Sequence, residues 1–221
     1  MTVDSQNQDI EGTQSARRRP PATRRAERMA GTRRMLIETS LELFARHGFD
    51  AVTSEEIAAA ARVSSSTLFR YFATKESLLF AGEYDYTSIL CEAVERQPPE
   101  RTDLDALIAS MIELAPMMAS VRDRVRTFNR VLSTSPALLG RERIHHRDNV
   151  AQLAAALAAR RRRPVDDAAT ILADVATTVL GRAHAHWLEQ PDGTDLGDVI
   201  RDHFSALATA FDESGGRRRR P

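Results

Sequence analysis

The side chains with the most distinctive chemistry lie between Ser64 and Lys75, where four consecutive hydroxyl residues are followed by aromatic and cationic ones. Hydroxyl groups exchange hydrogen bonds with base edges and phosphates, and Arg and Lys neutralise phosphate charge. At the N-terminal end of a helix, such side chains suit insertion into the major groove of double-stranded DNA. The candidate DNA-binding residues are Arg33, Arg34, Thr53, Ser64, Ser65, Ser66, Thr67, Phe69, Arg70, Tyr71 and Lys75.

Two short helices joined by a tight turn are predicted to hold these side chains in place. Thr53 and Glu56 have the spacing of a capping box, in which each side chain bonds the other residue's backbone NH at a helix start. The turn is expected at Arg62 and Val63. Ser64 is then the N-cap candidate of the second helix, which would present the hydroxyl residues.

Several motifs occur in one order and register: LIETSLELFARHGFDAV, then an Ile-Ala pair, then LFRYF and KESL. Together they span roughly residues 33–80, and this stretch resembles the N-terminal domain of the TetR family of bacterial transcriptional regulators. The resemblance implies a three-helix helix-turn-helix domain that reads operator DNA as a homodimer. Tyr71 and Lys75 match positions that contact phosphates in the family, and helix N-terminal NH groups beside a Lys suit a phosphate clamp.

The sequence departs from the family pattern at two positions. Arg62 stands where the family usually has Gly, because the residue that ends the second helix tends to adopt a positive φ. A positive φ costs a non-Gly residue roughly 1 kcal/mol or more, so we expect a strained or differently shaped turn. Phe69 stands where the family commonly has Tyr, so the ring is kept and a hydroxyl contact to phosphate is lost.

The composition favours an all-helical protein, since 42% of the 221 residues are hydrophobic and only 5% are aromatic. A single cysteine, Cys91, excludes a disulfide framework within one chain and indicates a reducing compartment. No signal peptide or long apolar run is present, so we expect a cytoplasmic protein without a membrane partner. The net charge of zero conceals a basic end, because residues 17–34 contain eight Arg and one Glu.

Catalytic and metal-binding motifs are not found in the sequence. His145-His146 and His184-x-His186 have adjacent or i, i+2 spacing, which points the two rings in different directions on a helix. No HExxH motif, nucleophile elbow, phosphate-binding glycine loop or CxxC pair occurs. We therefore predict that the protein is not an enzyme and holds neither a metal nor a cofactor.

The predicted fold class is all-α, with an N-terminal three-helix helix-turn-helix DNA-binding domain and a C-terminal helical ligand-binding and dimerisation domain. The predicted boundaries are 1–25 for a disordered basic arm, 26–75 for the helix-turn-helix domain, 76–214 for the effector-binding and dimerisation domain, and 215–221 for a flexible basic tail. The arm could lie along the DNA or remain a solvated tail, and the sequence leaves both alternatives open.

The first helix is expected from about Ala26 to Arg46, and one continuous helix from Lys75 to Arg96 is expected to join the two domains as a lever. Beyond Pro99, five helical segments are predicted, with Pro116 kinking or dividing the first two. Their approximate ranges are 103–115, 117–133, 136–163, 165–190 and 194–212.

The last two helices carry apolar stripes at helical spacing. In TetR-family subunits, a pair of this kind forms a four-helix dimer interface, so the resemblance implies the same role here. The candidate dimerisation residues are Ile171, Val175, Val179, Trp187, Val199, Ile200, His203, Phe204, Leu207 and Phe211. The alternative is that both stripes only fill the core of the monomer.

A Met-rich apolar set lies on helices that line a cavity in this family. Met adapts to irregular shapes and would tolerate a flexible apolar ligand, although the same residues could simply be core. The candidate ligand-binding residues are Met111, Met117, Met118, Val121, Val125, Phe128, Asn129 and His145. Arg122 and Arg126 are further candidates for an anionic ligand end. The stretch TSPALLGRER also resembles actinobacterial regulators of the mycofactocin-system type, which implies acyl-CoA-like ligands.

These observations predict a homodimeric, DNA-binding transcriptional regulator, and in particular a repressor that a small apolar or amphiphilic effector releases from its operator. One alternative is an activator or a ligand-independent repressor. Another, outside this class, is a helical protein-interaction module whose basic arm serves solubility.

Overall fold

The computed structural model describes residues 21–216, and all regular structure in that range is α-helical. The helices are Pro21–His47 (α1), Ser54–Ala60 (α2), Ser65–Tyr71 (α3), Lys75–Leu79 (α4), Ala81–Arg96 (α5), Asp103–Ala119 (α6), Arg122–Ser133 (α7), Pro136–Arg160 (α8), Asp167–Glu189 (α9) and Leu196–Gly216 (α10). The predicted all-α class is confirmed. Residues 1–20 of the predicted arm and residues 217–221 of the predicted tail lie outside the described residues.

Local capping chemistry fixes the starts of the short N-terminal helices. The Thr53 hydroxyl accepts from the Glu56 NH at 3.2 Å, and the Glu56 carboxylate accepts from the Thr53 NH at 2.8 Å, so the predicted capping box is confirmed. Ser64 caps α3 as predicted, accepting from the NH of Thr67. The start of α1 differs from expectation, because the helix begins at Pro21 instead of about Ala26; proline fits the first turn of a helix, where no NH partner is needed.

The helix predicted from Lys75 to Arg96 is instead two helices, α4 and α5, which meet at Phe80. Phe80 is fully buried, and its φ of −84° and ψ of −2° interrupt the regular hydrogen-bond pattern. The continuous lever predicted from the sequence is therefore wrong. The fully buried Phe80 separates the two helices near the predicted start of the lever.

The break predicted at Pro116 lies further along the chain. The helix α6 continues through Pro116 to Ala119, and a bend of 94° separates α6 from α7 around Ser120 and Val121. Pro116 lies in the last turn of α6, so the backbone hydrogen bond that it cannot donate weakens only the end of the helix, and the chain turns just after it.

At the end of α8, Arg162 adopts a positive φ of 50°, which ends that helix near Arg160 instead of residue 163.

Two hydrophobic cores organise the described residues. The N-terminal core contains residues of α1 to α4, including Leu36, Phe44 and Leu68, but it also includes Val131 and Leu138 from the α7–α8 junction. The C-terminal core is formed by the packing of α5, α6, α8, α9 and α10. The α7–α8 junction therefore completes the core beneath the helix-turn-helix region.

Candidate DNA-binding surface and effector region

The start of α3 holds three hydroxyl groups in one network. The Ser64 oxygen lies 2.9 Å from both the Ser66 and the Thr67 hydroxyl oxygens, and it accepts the Thr67 NH at 3.1 Å. Ser66 is exposed, whereas Ser65 and Thr67 are half-buried. The hydroxyl groups predicted to read bases are thus ordered by the helix cap, and Ser66 is the most accessible of them.

Further along α3, the ring of Phe69 and the guanidinium of Arg70 are both exposed to solvent. The Phe69 side chain is 46% exposed. Such a large apolar side chain is more often buried, so its exposure is notable. The Arg70 guanidinium lies 5.6 Å from the centre of the Tyr71 ring, and Leu68 on the opposite face is fully buried. The helix therefore presents Ser66, Phe69 and Arg70 outward from a firmly packed base.

Lys75 is placed differently from the phosphate clamp predicted for it. Its ammonium group donates to the carbonyl oxygens of Phe49 at 2.8 Å, Val52 at 3.1 Å and Asp50 at 3.4 Å, and it lies 4.5 Å from the centre of the Phe49 ring. A lysine has three ammonium hydrogens, and here each faces a carbonyl of the α1–α2 loop. Sequence reasoning missed this structural role, in which Lys75 fastens α4 to that loop.

Arg62 adopts the positive φ that the comparison with the family pattern predicted. Its φ is 54°, and the turn is closed by Arg62 NH donating to the Ala59 carbonyl and Val63 NH donating to the Ala58 carbonyl, both at 3.0 Å. The backbone thus keeps the family's turn shape although the residue is not glycine. The Arg62 side chain is exposed.

The two arginines of α1 that were predicted to contact DNA differ in their surroundings. Arg33 donates to both carboxylate oxygens of Asp85 in α5, at 2.6 and 3.0 Å, and its guanidinium lies 5.5 Å from the centre of the Phe72 ring. Arg34 is exposed. Arg33 therefore joins α1 to α5, and Arg34 is the better placed of the two to meet a phosphate.

The predicted ligand-binding residues differ in burial and in the core against which they pack. Met111 is buried in the C-terminal core and Met118 packs against that core, whereas Phe128 packs against the N-terminal core. Met117 and Asn129 are exposed. The remaining candidates Val121, Val125 and His145 are half-buried. The candidates are therefore distributed over both cores and the protein surface.

Arg122 and Arg126, predicted to meet an anionic ligand end, are engaged by the end of α9. The Arg122 guanidinium donates to the carbonyls of Trp187 at 2.7 Å and Gln190 at 2.6 Å, and it lies 4.6 Å from the Trp187 ring centre. Arg126 donates to the Leu188 carbonyl at 3.3 Å. Both cations cap the C-terminal end of α9, where the helix dipole is negative. An open cavity of about 560 Å³ lies beside them, between α6 and the α9–α10 loop.

The predicted dimerisation residues divide into two groups. Trp187, Val199, Ile200 and Phe204 are buried within the monomer. Ile171 and Phe211 are 63% and 65% exposed, and the other four, Val175, Val179, His203 and Leu207, are half-buried. The buried four fill the core between α6, α9 and α10, because α10 packs against both other helices. The apolar surface left for a partner is therefore narrower than the stripes in the sequence.

The burial of two titratable groups, Glu83 and His184, was not predicted from the sequence. Burial, with a smaller contribution from nearby Glu142, raises the pKa of Glu83 to about 7. Burial lowers the pKa of His184 to about 4. Neither residue is fully covered, since both side chains keep some accessible surface. The only signal in the sequence is that Glu83 and His184 occur on otherwise apolar helix faces.

Within the described residues, no single helix is long and apolar enough to cross a membrane, and no group of three or more potential ligands could hold a metal ion.

Comparison with known proteins identifies both halves of the chain. The family of bacterial regulatory proteins called TetR matches residues 36–81, and the family described as the MftR C-terminal domain matches residues 102–212, about half of the chain. The proposed mycofactocin biosynthesis transcriptional regulator MftR of Mycobacterium tuberculosis is 27% identical over 200 residues, which cover 87% of this chain and 98% of that protein.

Two further comparisons agree with this result. The helix-turn-helix regulator TcmR of Streptomyces glaucescens is 32% identical over 105 residues, covering 48% of this chain and 46% of TcmR. The crystal structure of Thermus thermophilus FadR, a TetR-family repressor in complex with lauroyl-CoA, is 22% identical with a TM-score of 0.50, covering 80% of this chain and 93% of FadR. The structural match shows a shared fold.

Proposed function

Because the chain belongs to the TetR family of transcriptional regulators and has a C-terminal domain of the MftR type, we propose that it is a homodimeric repressor released from operator DNA by a small apolar or amphiphilic effector. The observation that best supports DNA recognition is the outward face of α3. There Ser66, Phe69 and Arg70 are exposed on a helix whose cap and buried side are both fixed. The protein would act in the cytoplasm, where its operator lies.

On this proposal, α3 enters the major groove and each exposed side chain has a separate task. The Ser66 hydroxyl can exchange hydrogen bonds with base edges, and the Phe69 ring can contact a thymine methyl or a sugar. Arg70 can bond guanine or a phosphate, and Arg34 can reach the phosphate backbone from α1. We assign Lys75 a positioning role, since its ammonium is held by the α1–α2 loop.

The proposal includes a homodimer because one short recognition helix reads too few base pairs for a unique operator. Two copies whose recognition helices lie about one DNA turn apart would read a near-palindromic site. The exposed residues Ile171 of α9 and Phe211 of α10 offer an apolar surface for the second copy. The half-buried residues Val175 and Leu207 lie one helical turn from these two and would extend that surface.

Effector control requires a physical connection between the C-terminal helices and α3. The α7–α8 junction provides one, because Val131, Leu132 and Leu138 are part of the N-terminal core. The helix α7 also packs against α1, and its first turn is bonded to the end of α9 through Arg122. An effector that moved α7 or α8 would therefore alter the support of the helix-turn-helix region. Only an effector with different affinities for the two arrangements can shift the balance between them.

The direct test is a titration of the DNA that flanks the protein's own gene, followed by fluorescence anisotropy at several salt concentrations. We expect tight binding to one near-palindromic segment and only weak, strongly salt-dependent binding to a shuffled segment of equal length. The variant Phe69→Ala should lose much of the preference, whereas the exposed Phe211→Ala, distant from α3, should retain the base preference in the DNA-bound dimer. Equal affinity for the operator and the shuffled DNA would contradict the proposal.

A further inference from the structure

Aromatic and acidic side chains form a cluster where α5 approaches α7, α8 and α9. The aromatic–acidic cluster is defined as Phe80, Glu83, Tyr86, Phe128, His145 and His184. Phe80 stacks on His145 with 3.9 Å between ring centroids and meets the edge of Phe128 at 5.9 Å. The sequence predictions included only Phe128 and His145 of these six residues as ligand contacts.

The second half of the cluster lies nearly two helical turns further along the chain, at Tyr86. Tyr86 meets the edge of the His184 ring with 6.0 Å between centroids. Glu83 lies three residues after Phe80 and three before Tyr86, so along the chain it stands between the two groups of rings. A carboxyl group is thus flanked along the helix by aromatic rings on both sides.

The Glu83 carboxyl has no cation as a partner among the side chains that the structure describes. It forms no ion pair there, and the charged group that affects it electrostatically is another carboxylate, Glu142 of α8. Arg141, the neighbouring cation on α8, pairs with Glu76 at 3.5 Å. An enclosed carboxyl group that lacks a counter-ion is costly, and it favours a ligand that supplies positive charge.

Two buried polar atoms near the cluster also lack hydrogen-bond partners. They are Nε2 of His184 and Oδ1 of Asn149, which lies one turn after His145 on α8. An amide oxygen only accepts hydrogen bonds, and a neutral imidazole has one nitrogen that can accept. Buried acceptors without donors are rare in native proteins, so they mark a place where a ligand with N–H groups could bind.

We infer that the aromatic–acidic cluster binds an organic cation, namely a protonated amine attached to an apolar body. The aromatic faces attract positive charge, the Glu83 carboxylate forms a charge-assisted hydrogen bond with the ammonium group, and the unpartnered acceptors take its remaining N–H groups. This inference rests on the proposed function in one respect: the bound amine is taken to be the polar end of the effector that releases the repressor from its operator.

The test compares n-decylammonium with decanoate, which have chains of equal length and opposite head-group charge. Isothermal titration calorimetry on the full chain near neutral pH should show decylammonium binding about 10-fold or more tightly than decanoate. Glu83→Gln should abolish most of this preference. The matched control Glu92→Gln removes an exposed carboxylate from the same helix and should leave both affinities unchanged.

Equal affinities for the two compounds, a preference for decanoate, or the same loss in both Glu variants would overturn the cation site. A second variant, Asn149→Leu, removes the unpartnered Oδ1 and should weaken decylammonium more than decanoate. If Glu83→Gln did not fold, the wild-type preference and Asn149→Leu would still decide the question.

Operator binding separates the two proposals. Binding of decylammonium that depends on Glu83 but leaves operator affinity unchanged would support the cation site and contradict the clause that the amine is the polar end of the effector. Release by decanoate, together with no binding of decylammonium, would support the repressor and overturn the cation site.

Discussion

The Phe80 ring stacks on the His145 imidazole, with 3.9 Å between ring centroids, at the point where α4 ends and α5 begins. Phe80 belongs to the N-terminal core, whereas His145 lies on α8 of the C-terminal half. One contact therefore links the helix that follows the DNA-reading helix to a helix near the proposed effector site. We expect effector binding to act on this junction because the regular helix is interrupted there, between α4 and α5.

Replacing Arg62 by Gly should stabilise the protein. The residue has a φ of 54°, which costs a non-Gly residue roughly 1 kcal/mol, so Arg62→Gly should raise the free energy of unfolding by about 0.5 to 1 kcal/mol. Chemical denaturation without DNA measures the change. Arg162→Gly is the matched control, since its φ of 50° predicts a gain of the same sign far from the DNA. A loss of stability in Arg62→Gly alone would show that its side chain supports the turn.

Replacing Lys75 by Ala should affect folding more than phosphate contact. The variant loses three hydrogen bonds to the α1–α2 loop, so we expect the free energy of unfolding to fall by about 1 to 3 kcal/mol. Operator affinity should fall, but the slope of its logarithm against the logarithm of salt concentration should stay unchanged. Arg70→Ala should instead reduce that slope by about 1 and leave stability unchanged. A reduced slope in Lys75→Ala would restore the phosphate clamp that the sequence predicted.

Replacing Leu138 by Ala should weaken DNA binding although the residue lies on α8. Leu138 is fully buried in the N-terminal core, so its truncation should cost about 2 to 5 kcal/mol of stability and loosen the support of α1 to α4. Thermal unfolding and operator titration would measure both effects. The adjacent Leu139 is 45% exposed, and Leu139→Ala should change stability by less than about 0.5 kcal/mol. Equal losses of stability and of operator affinity in Leu138→Ala and Leu139→Ala would contradict the inclusion of Leu138 in the N-terminal core.

Replacing Glu83 by Gln should stabilise the protein at neutral and alkaline pH. Burial raises the folded-state pKa of Glu83 from 4.5 to about 7, so the folded protein holds this proton more tightly than the unfolded chain. The contribution of Glu83 to stability therefore decreases as pH rises from about 4.5 to 7, and Gln removes this penalty. Above pH 7 we expect a gain of roughly 1 to 3 kcal/mol, which disappears below about pH 4.5.

Denaturation curves at several pH values would measure the Glu83 effect. The charged group that acts on Glu83 is Glu142 of α8. Glu142 and the titratable members of the aromatic–acidic cluster, Tyr86, His145 and His184, are retained in both proteins, so the difference between them isolates Glu83. Glu142→Gln is the control and should give a smaller gain, because Glu142 is exposed. A gain for Glu83→Gln that did not vary with pH would contradict the burial of its charge.

Introducing charge on the exposed α9–α10 surface should dissociate the proposed dimer. Phe211 is 65% exposed, and Phe211→Glu would place a carboxylate in an apolar interface, raising the dimer dissociation constant roughly 10-fold or more. Analytical ultracentrifugation measures this constant. Val165 is 52% exposed outside α9 and α10, so Val165→Glu should leave the constant unchanged. Equal dissociation constants for the wild type and Phe211→Glu would place the interface elsewhere.

Sequence reasoning succeeded where the determining chemistry is local. The capping box at Thr53 and Glu56 is encoded by two residues three positions apart, and the turn at Arg62 follows from a glycine position in a recognisable motif. The positions of helix caps and of the helix-turn-helix region could therefore be predicted before any tertiary contact was known.

Contacts whose partner is distant in sequence were not predicted. Lys75 bonds the carbonyls of residues 23 to 26 positions earlier, and no local pattern indicates that the ammonium turns inward. Similarly, Trp187 and Ile200 lie on stripes that could face either a partner or the monomer core. Their orientation is decided by the packing of α6 against α10, which the stripe itself does not specify.

The N-terminal core also contains residues from the α7–α8 junction, namely Val131, Leu132 and Leu138. This arrangement affects the order in which the protein can fold during synthesis. The DNA-reading helices leave the ribosome first, but the chain from Ala81 to Leu138 must be translated before their core can close. Domains that fold as units usually do so as they emerge. Here a nascent or prematurely terminated chain that ends before α8 exposes apolar surface, so it should be degraded and should not occupy the operator as a fragment without effector control.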